Sequence, residues 1–373
     1  MEKFHEVVQS RHQYARAWKE RTGGKILGYF CTYIPEEIVY AAGILPVRVL
    51  GSHEPQDVTD PHIYPMFCPF CRDCLAQGLL SRYDYLDGIT IGHSCMHIRQ
   101  TFASWEMHIP LSYSYFIAMP ATVQSPSAKP FLKGEFAAFM KSLEEWTGKT
   151  ISQGDLDRGI DMLNTNRRLM RQIYELRKAE APPVSGVEAM EMVLSSHFAD
   201  KTEHNQWLAE TLQELPERDN SRDPGIRLML IGSEDDDTEM IRLAEELGST
   251  VVIDEHCTGS RYFWNEVVNG EDRLGAIAAR YLERPPCPQK DWPARLRLPH
   301  IMQLAQDYQV QGAIVIQQKF CDPHEFDNPV IMRELKEKLG IPSLFLEFDI
   351  TIPAGQFRTR IEAFLEMLQL ELV

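Results

Sequence analysis

Hydrophobic and polar positions along the first third of the chain alternate in a way that predicts strands and helices in turn. Residues 3–20 have the spacing of a short, mostly polar helix. A second helix is predicted to start at Pro35, Glu36 and Glu37 and to end at Gly43, between two runs that are typical of strands. The apolar runs typical of β-strands are 26–30, 44–50, 88–92 and 111–118. This alternation favours a parallel sheet.

The middle of the chain, about 128–220, has helical periodicity without strands. Ser152 and Asp155 have the spacing of a capping box, as do Ser185 and Glu188, so each pair predicts a helix start. The polar, proline-bearing stretch 216–225 then indicates a linker. We expect a helical segment that joins two sheet-containing parts.

The last third repeats the alternation of strands and helices. Strands are predicted at 226–231, 251–253, 313–316 and 343–346, and helices at 237–247, 271–283, 295–308, 327–339 and 355–371. The predicted fold is α/β, with two Rossmann- or flavodoxin-like parallel-sheet domains joined by a helical segment. The expected divisions are an N-terminal helix (1–20), a first α/β domain (21–127), a helical bridge (128–220) and a second α/β domain (221–373).

Composition and charge narrow the function. The 373 residues are 44% hydrophobic and 25% charged, which is ordinary for a globular protein. The net charge of −16 makes nucleic acid and anionic membrane surfaces poor partners. The charged N-terminus lacks the apolar run of a signal peptide, and we therefore expect a cytoplasmic protein. The eight cysteines are then expected to be reduced thiols rather than disulfides.

Most of the cysteines occur at positions that suggest chemistry. Cys31, Cys95, Cys257 and Cys321 each follow a predicted strand, and ligands of open α/β sheets bind at the carboxyl ends of strands. Cys68, Cys71 and Cys74 recur every three residues, so that a tight turn would bring their sulfurs together. This spacing leaves an iron–sulfur cluster, a zinc ion and plain buried thiols as alternatives. Cys287, in a proline-rich loop, is expected to be only a small buried hydrophobe.

Other candidate residues surround these cysteines. His93, His97 and His324 are candidate proton donors or neighbours of a metal ligand. Arg261 is a candidate clamp for a phosphate or carboxylate, with a surface charge as the alternative, and Cys257 and Ser260 are grouped with it as contacts for substrate or CoA. Neither an ATP-binding nor an NAD-binding glycine loop is present in the sequence.

Seven segments of the chain resemble the 2-hydroxyacyl-CoA dehydratase and benzoyl-CoA reductase family. They are 28–37, 67–70, 93–99, the Asn164-x-x-Arg167-Arg168 motif, 254–263, 320–323 and 355–362. The resemblance implies a heterodimeric core in which each subunit holds a [4Fe-4S] cluster on three cysteines. It also implies separate ATP-hydrolysing activator subunits with their own cluster, which receive electrons from ferredoxin.

The resemblance also implies the ligands and the reaction. Matched by position, the ligands are Cys68, Cys95 and Cys321, with Cys71 and Cys74 as alternative ligands near Cys68. The chain looks most like the smaller cluster-binding subunit of ATP-dependent benzoyl-CoA reductase, in which low-potential electrons reduce benzoyl-CoA to a cyclohexadiene-carbonyl-CoA. The alternatives are a subunit of a 2-hydroxyacyl-CoA dehydratase, which removes a hydroxyl through a ketyl radical, and a non-catalytic zinc scaffold.

Overall fold

The computed structural model describes residues 1–218, 223–268 and 270–371, and those ranges contain two parallel sheets. The strands are β1 (Ile26–Tyr29), β2 (Leu45–Arg48), β3 (Gly88–Gly92), β4 (Tyr113–Ile117), β5 (Ile226–Gly232), β6 (Ser249–Glu255), β7 (Gly312–Gln318) and β8 (Ser343–Phe348). The predicted linker 216–225 lies partly outside the described residues.

Helices cover the sheets and connect them. The first seven are α1 (Glu2–Gln9), α2 (Arg11–Thr22), α3 (Glu36–Ala41), α4 (Pro69–Leu79), α5 (Met96–His108), α6 (Ala128–Thr147) and α7 (Gln153–Leu176). The next seven are α8 (Gly186–Ser196), α9 (Lys201–Glu214), α10 (Glu239–Glu246), α11 (Arg273–Glu283), α12 (Arg297–Asp307), α13 (Asp322–Leu339) and α14 (Ala354–Glu371). In the described ranges, no helix is both long and apolar enough to cross a bilayer.

The two sheets have the same strand order, which confirms the prediction of two parallel-sheet domains. The first runs β2-β1-β3-β4 and the second β6-β5-β7-β8, and all pairings are parallel. Six strands are buried along their whole length, which is why apolar residues occur on both of their faces: β1, β2, β3, β5, β6 and β7. The order reverses between β1 and β3 and between β5 and β7, and such points are where doubly wound sheets bind ligands.

The helices between the sheets begin as the capping boxes predict. The Ser152 hydroxyl accepts from the Asp155 N–H over 3.2 Å, and the Asp155 carboxylate accepts from the Ser152 N–H over 2.8 Å. The box at Ser185 is also formed. Helix α7 then reaches both sheet-containing parts, because Arg167 pairs with Glu37 of α3 and the neighbouring Asn164 bonds the backbone beyond β6.

Three local predictions differ from the structure. The N-terminal helix is divided into α1 and α2 at Ser10. Residues 69–79 form α4 rather than a tight turn, since Pro69 at the start of the segment has a backbone φ suited to a helix. Helix α13 begins at Asp322 instead of 327, and Pro329 lies inside it rather than at its start. The last two differences change where the cysteines lie.

Candidate metal centre

Three of the described cysteines occupy the N-cap position of an α-helix. Cys68 precedes α4, Cys95 precedes α5 and Cys321 precedes α13. None of the three side chains makes a capping hydrogen bond, so each sulfur is available to another partner. The unpaired N–H groups and the positive end of the helix dipole favour a thiolate over a thiol at this position. The fold thus places three cysteine sulfurs at the positive ends of helices, although burial opposes the thiolate form of Cys95 and Cys321.

The three helix ends meet at a cavity where the carboxyl ends of both sheets face each other. About 680 Å³ there is free of protein atoms, part of it open to solvent. The cavity is lined by seven of the eight cysteines: Cys31, Cys68, Cys71, Cys95, Cys257, Cys287 and Cys321. The eighth, Cys74, is buried in the apolar core with its Sγ 3.4 Å from the carbonyl oxygen of Val49. Cys74 is therefore separated from the group, although it shares the regular spacing of Cys68 and Cys71.

The surroundings of Cys68 favour its thiolate form. A hydrogen bond from the Cys71 thiol lowers the pKa of Cys68 to about 6, against the effect of burial and with help from His97. The backbone N–H of Cys68 also donates to Nδ1 of His97 over 3.1 Å. At neutral pH Cys68 is consequently mostly thiolate, which is the form that coordinates metals.

Cys95 and Cys321 behave in the opposite way. Burial is the main cause that raises the pKa of both thiols, and Cys68 is the neighbour that adds most to each shift. Three sulfurs that act on one another lie in one neighbourhood, and as anions they repel. The positive charge of a bound metal offsets this repulsion, so that the thiols can lose their protons and coordinate as thiolates. The thiols therefore fit a cationic metal core.

The spread of the donors bears on which metal group the cavity could hold. Within the part of the chain that the structure describes, no three His, Cys, Asp or Glu side chains are close enough to hold one metal ion. Zinc requires all its thiolates at about 2.3 Å from one point, whereas an iron–sulfur cluster spreads its thiolates over several irons. An iron–sulfur cluster fits this open set of thiols better than zinc does.

The cavity is positive although the chain as a whole carries a net charge of −16. Arg48, Arg261 and Arg284 line it together with one carboxylate, Glu234, which gives a formal charge of +2 before any thiolate is counted. Arg48 pairs with Glu234 over 2.7 Å, and both residues are buried. A cluster held by thiolates is an anion, and buried cations reduce the free-energy cost of placing it away from water.

Arg261 is buried and paired, so the alternative that it is a surface charge is wrong. Its Nε lies 3.2 Å from a carboxylate oxygen of Glu255, and a terminal nitrogen donates to the Cys257 sulfur over 3.2 Å. Ser260 does not line the cavity, because its hydroxyl donates to the Asp254 carbonyl over 2.6 Å. Binding of substrate or CoA by these loop residues stays a prediction.

The three candidate histidines have different surroundings. His324 lines the cavity, is 2% exposed, and has Nε2 4.0 Å from the Cys257 sulfur. His97 touches the cavity wall through Cys68. His93 packs against Phe116 and does not line the cavity. His324 and His97 are therefore close enough to influence a bound cluster, and a proton-donating role for any of the three stays a prediction.

Several cavity residues were missed by the sequence analysis. Cys287 was expected to be only a buried hydrophobe, yet it lines the cavity, where its N–H donates to the Tyr33 hydroxyl over 3.0 Å. It follows helix α11 rather than a strand, so the strand-end signal did not apply. Arg48 and Arg284 were also missed. Arg48 carried a usable signal, since it is a charged residue at the end of an otherwise apolar strand.

The chain is similar along most of its length to subunits of enzymes named for acyl-CoA substrates. The chain is 25% identical over 366 residues to the beta subunit of (R)-phenyllactyl-CoA dehydratase from Clostridium sporogenes, covering 98% of this chain and 97% of the relative. It is 24% identical over 351 residues to a benzoyl-CoA reductase subunit from Thauera aromatica, covering 92% and 90%. It is 23% identical over 380 residues to the beta subunit of (R)-2-hydroxyglutaryl-CoA dehydratase from Acidaminococcus fermentans, covering 99% and 98%.

A family model described as 2-hydroxyglutaryl-CoA dehydratase, D-component, matches residues 31–368. The matched range contains all eight cysteines and most of both sheets. This confirms the resemblance found in the sequence. The chain therefore belongs to the family of the 2-hydroxyglutaryl-CoA dehydratase D-component.

Proposed function

We propose that this chain is an iron–sulfur subunit of an enzyme that acts on acyl-CoA thioesters, with a [4Fe-4S] cluster held by Cys68, Cys95 and Cys321. The observation that carries the proposal is the meeting of three N-cap cysteines at one cavity. When bound, such a cluster supplies one-electron transfer at low potential. Cys71 is the alternative ligand in α4, while Cys74 is directed into the core.

The chain's own residues hold the cluster and shield it. Phe30, Phe70 and Ile98 line the cavity and exclude water from its apolar side. Arg48 and Arg284 keep positive charge next to the sulfurs. Positive charge near the cluster raises its reduction potential, whereas exclusion of water lowers it. The arginines and the apolar side chains therefore act in opposite directions on that potential. Water exclusion also protects reactive species from side reactions.

The first candidate reaction is the ATP-dependent reduction of benzoyl-CoA. The likeness to the benzoyl-CoA reductase subunit from Thauera aromatica supports it. For this reaction, we expect the chain to pair with a larger cluster-binding subunit. Separate ATP-hydrolysing activator subunits would receive electrons from ferredoxin and pass them on. The lack of a nucleotide-binding glycine loop in this sequence agrees with ATP hydrolysis on a separate subunit.

The second candidate is the dehydration of a 2-hydroxyacyl-CoA. The family model and the two dehydratase beta subunits favour it. An anaerobic assay of the complex with both thioesters separates the candidates. Formation of an enoyl-CoA without net consumption of electrons supports the dehydratase, whereas consumption of electrons with loss of aromaticity supports the reductase.

Metal analysis tests the cluster itself. We expect the anaerobically reconstituted chain to contain iron and acid-labile sulfide, and Cys321→Ala to lose at least half of that iron. Cys74→Ala is the matched control, since Cys74 is a buried cysteine off the cavity, and it should retain the full iron content. Zinc without iron in the wild-type protein, or full iron in Cys321→Ala, would contradict the proposed ligand set.

A further inference from the structure

Three cavity cysteines are outside the ligand set proposed above and outside α4. Cys31 follows β1, Cys257 follows β6, and Cys287 is the N-cap of a short 3₁₀ helix, Pro288–Lys290. We propose that Cys31, Cys257 and Cys287 form a second set of iron–sulfur ligands, so that the cavity takes two iron–sulfur units. The second set rests on the proposed function, because both sets share one cavity.

The three thiols of the second set act on one another. Burial raises the pKa of Cys257 well above its ordinary value, Arg261 opposes this, and Cys287 and Cys31 both add to the increase. Burial also raises the pKa of Cys287, where Arg261 again opposes and Cys31 adds. All three residues line the same cavity, although their segments lie in both sheet-containing parts of the chain.

The second set also faces the first. After burial and Cys68, the neighbours that raise the pKa of Cys95 are Cys287 and Cys31. The pKa of Cys321 is raised by burial and by thiols of both sets, including Cys257 and Cys287. Each member of the second set thus acts on a proposed ligand of the first, and both sets line one cavity.

Cys71 behaves differently from the second set. Burial and the hydrogen bond with Cys68 raise the pKa of Cys71, and the other thiols that act on it are Cys95 and Cys74. Cys71 therefore belongs to the side of the first set. The cavity cysteines that remain are Cys31, Cys257 and Cys287, which is the same number of sulfurs as in the first set.

Positive side chains surround the second set. Arg261 donates to the sulfur of Cys257 over 3.2 Å. Arg284 is 3% exposed and donates to the carbonyl and hydroxyl oxygens of Thr32 over 2.8 and 3.1 Å. Among the described residues its Nε has no hydrogen-bond partner, and no carboxylate pairs with it. A buried guanidinium without an anion is costly, and an anionic cluster on this side of the cavity would neutralise it.

Iron and acid-labile sulfide per chain, measured after anaerobic reconstitution with ferrous iron and sulfide, test this proposal. Two four-iron units give about eight iron atoms per chain, and one unit gives about four. We expect about eight in the wild-type protein, and a decrease by about half in Cys257→Ala and Cys287→Ala as one unit is lost. Cys74→Ala is the control and should match the wild type.

Each outcome decides one point. About four iron atoms per wild-type chain, unchanged in Cys257→Ala and Cys287→Ala, would overturn the second unit and leave the proposed function intact. Loss of all iron in Cys287→Ala with wild-type folding by circular dichroism would also overturn it, because Cys287 would then be a ligand of a single unit. A wild-type protein without iron would overturn both proposals. The wild-type iron content decides the number of units even where a variant fails to fold.

Discussion

Replacing Arg167 should destabilise the protein strongly, because it pairs with a carboxylate that has no access to water. The side chains of Arg167 and Glu37 are 3% and 0% exposed, and a guanidinium nitrogen lies 2.6 Å from the carboxylate. The Tyr281 hydroxyl donates to the other carboxylate oxygen over 3.0 Å. This one carboxylate therefore links α3, α7 and α11. Arg167→Leu removes the cation and leaves a buried negative charge.

The magnitude follows from the geometry. Two unit charges about 3 Å apart attract by about 5–6 kcal/mol at an effective dielectric constant of about 20. Desolvation offsets part of this attraction, and removing one partner of such a buried pair costs about 3–5 kcal/mol. We expect Arg167→Leu to lower the free energy of unfolding by about that amount at neutral pH.

The decrease in the free energy of unfolding caused by Arg167→Leu should depend on pH. In the wild-type protein burial acts to raise the pKa of Glu37, but Arg167 and then Arg280 outweigh it and keep the pKa below the ordinary value of 4.5. The pair therefore stabilises the fold above pH 4.5, and this stabilisation is lost as the pH falls through the lowered pKa. With Arg167 replaced, burial favours the protonated carboxyl. The difference between wild type and variant should consequently decrease on acidification.

Urea-induced unfolding followed by far-UV circular dichroism measures the effect. Arg168→Leu is the matched control, because Arg168 is the next residue in the same motif and pairs with Glu266 at the surface, with side chains 55% and 34% exposed. An exposed pair contributes about 0–1 kcal/mol. If Arg167→Leu were destabilised no more than Arg168→Leu, or equally at every pH, the assignment of a buried, charged pair would be refuted.

Three further predictions concern the backbone, a histidine and a helix cap. Gly159→Ala should cost about 1–3 kcal/mol of stability, since a Cβ there would lie 2.3 Å from the backbone oxygen of Glu37, and thermal unfolding measures it. His53→Gln should lose a pH-dependent stabilisation: burial opposes but Asp236 raises the pKa of His53 to about 11. This contribution is complete below pH 6.5 and decreases as the pH rises towards 11, which unfolding midpoints across that range can follow. Ser185→Ala should cost about 1 kcal/mol by removing one half of a capping box, measured by urea unfolding.

Controls are available for these variants. Gly154→Ala lies in the first turn of the same helix as Gly159, with its nearest neighbours 3.7 Å from an added Cβ, and should be close to neutral. Ser10→Ala removes an N-cap serine that makes no capping bond to α2, so it should cost less than Ser185→Ala. A His53→Gln deficit that stayed constant from pH 6.5 to 11 would contradict the assigned pair.

Much of the fold could be predicted because the central strands are buried on both faces. Strands such as β3 and β5 are mainly apolar on both faces, and their positions were predicted to within a residue or two. Helix α4 was missed because the alternation of cysteine, charged and small residues in it hides the helical period. The start of α13 was placed too late, at 327, whereas the helix begins at Asp322 with Pro323 in its first turn.

The sequence predicted which cysteines follow strands, but it did not predict the full set of residues that line the cavity. Cys31, Cys95, Cys257 and Cys321 were grouped by their position after strands, and the structure brings all four to one cavity. Cys287 follows a helix, and no local pattern separates it from a packing residue. The assignment of particular cysteines as ligands stays a prediction.

By itself, the sequence determined that the chain is an acidic α/β protein with two parallel sheets, that its cysteines cluster near strand ends, and to which family it belongs, because hydrophobic periodicity and short motifs are local properties. Only the tertiary structure decided which sulfurs share a space. The fold separates Cys74 from its near neighbour Cys71 across the wall of α4, and it brings Cys287 next to Cys31 from the far part of the chain. Such juxtapositions follow from how the sheets and helices pack against each other, which no local pattern of residues records.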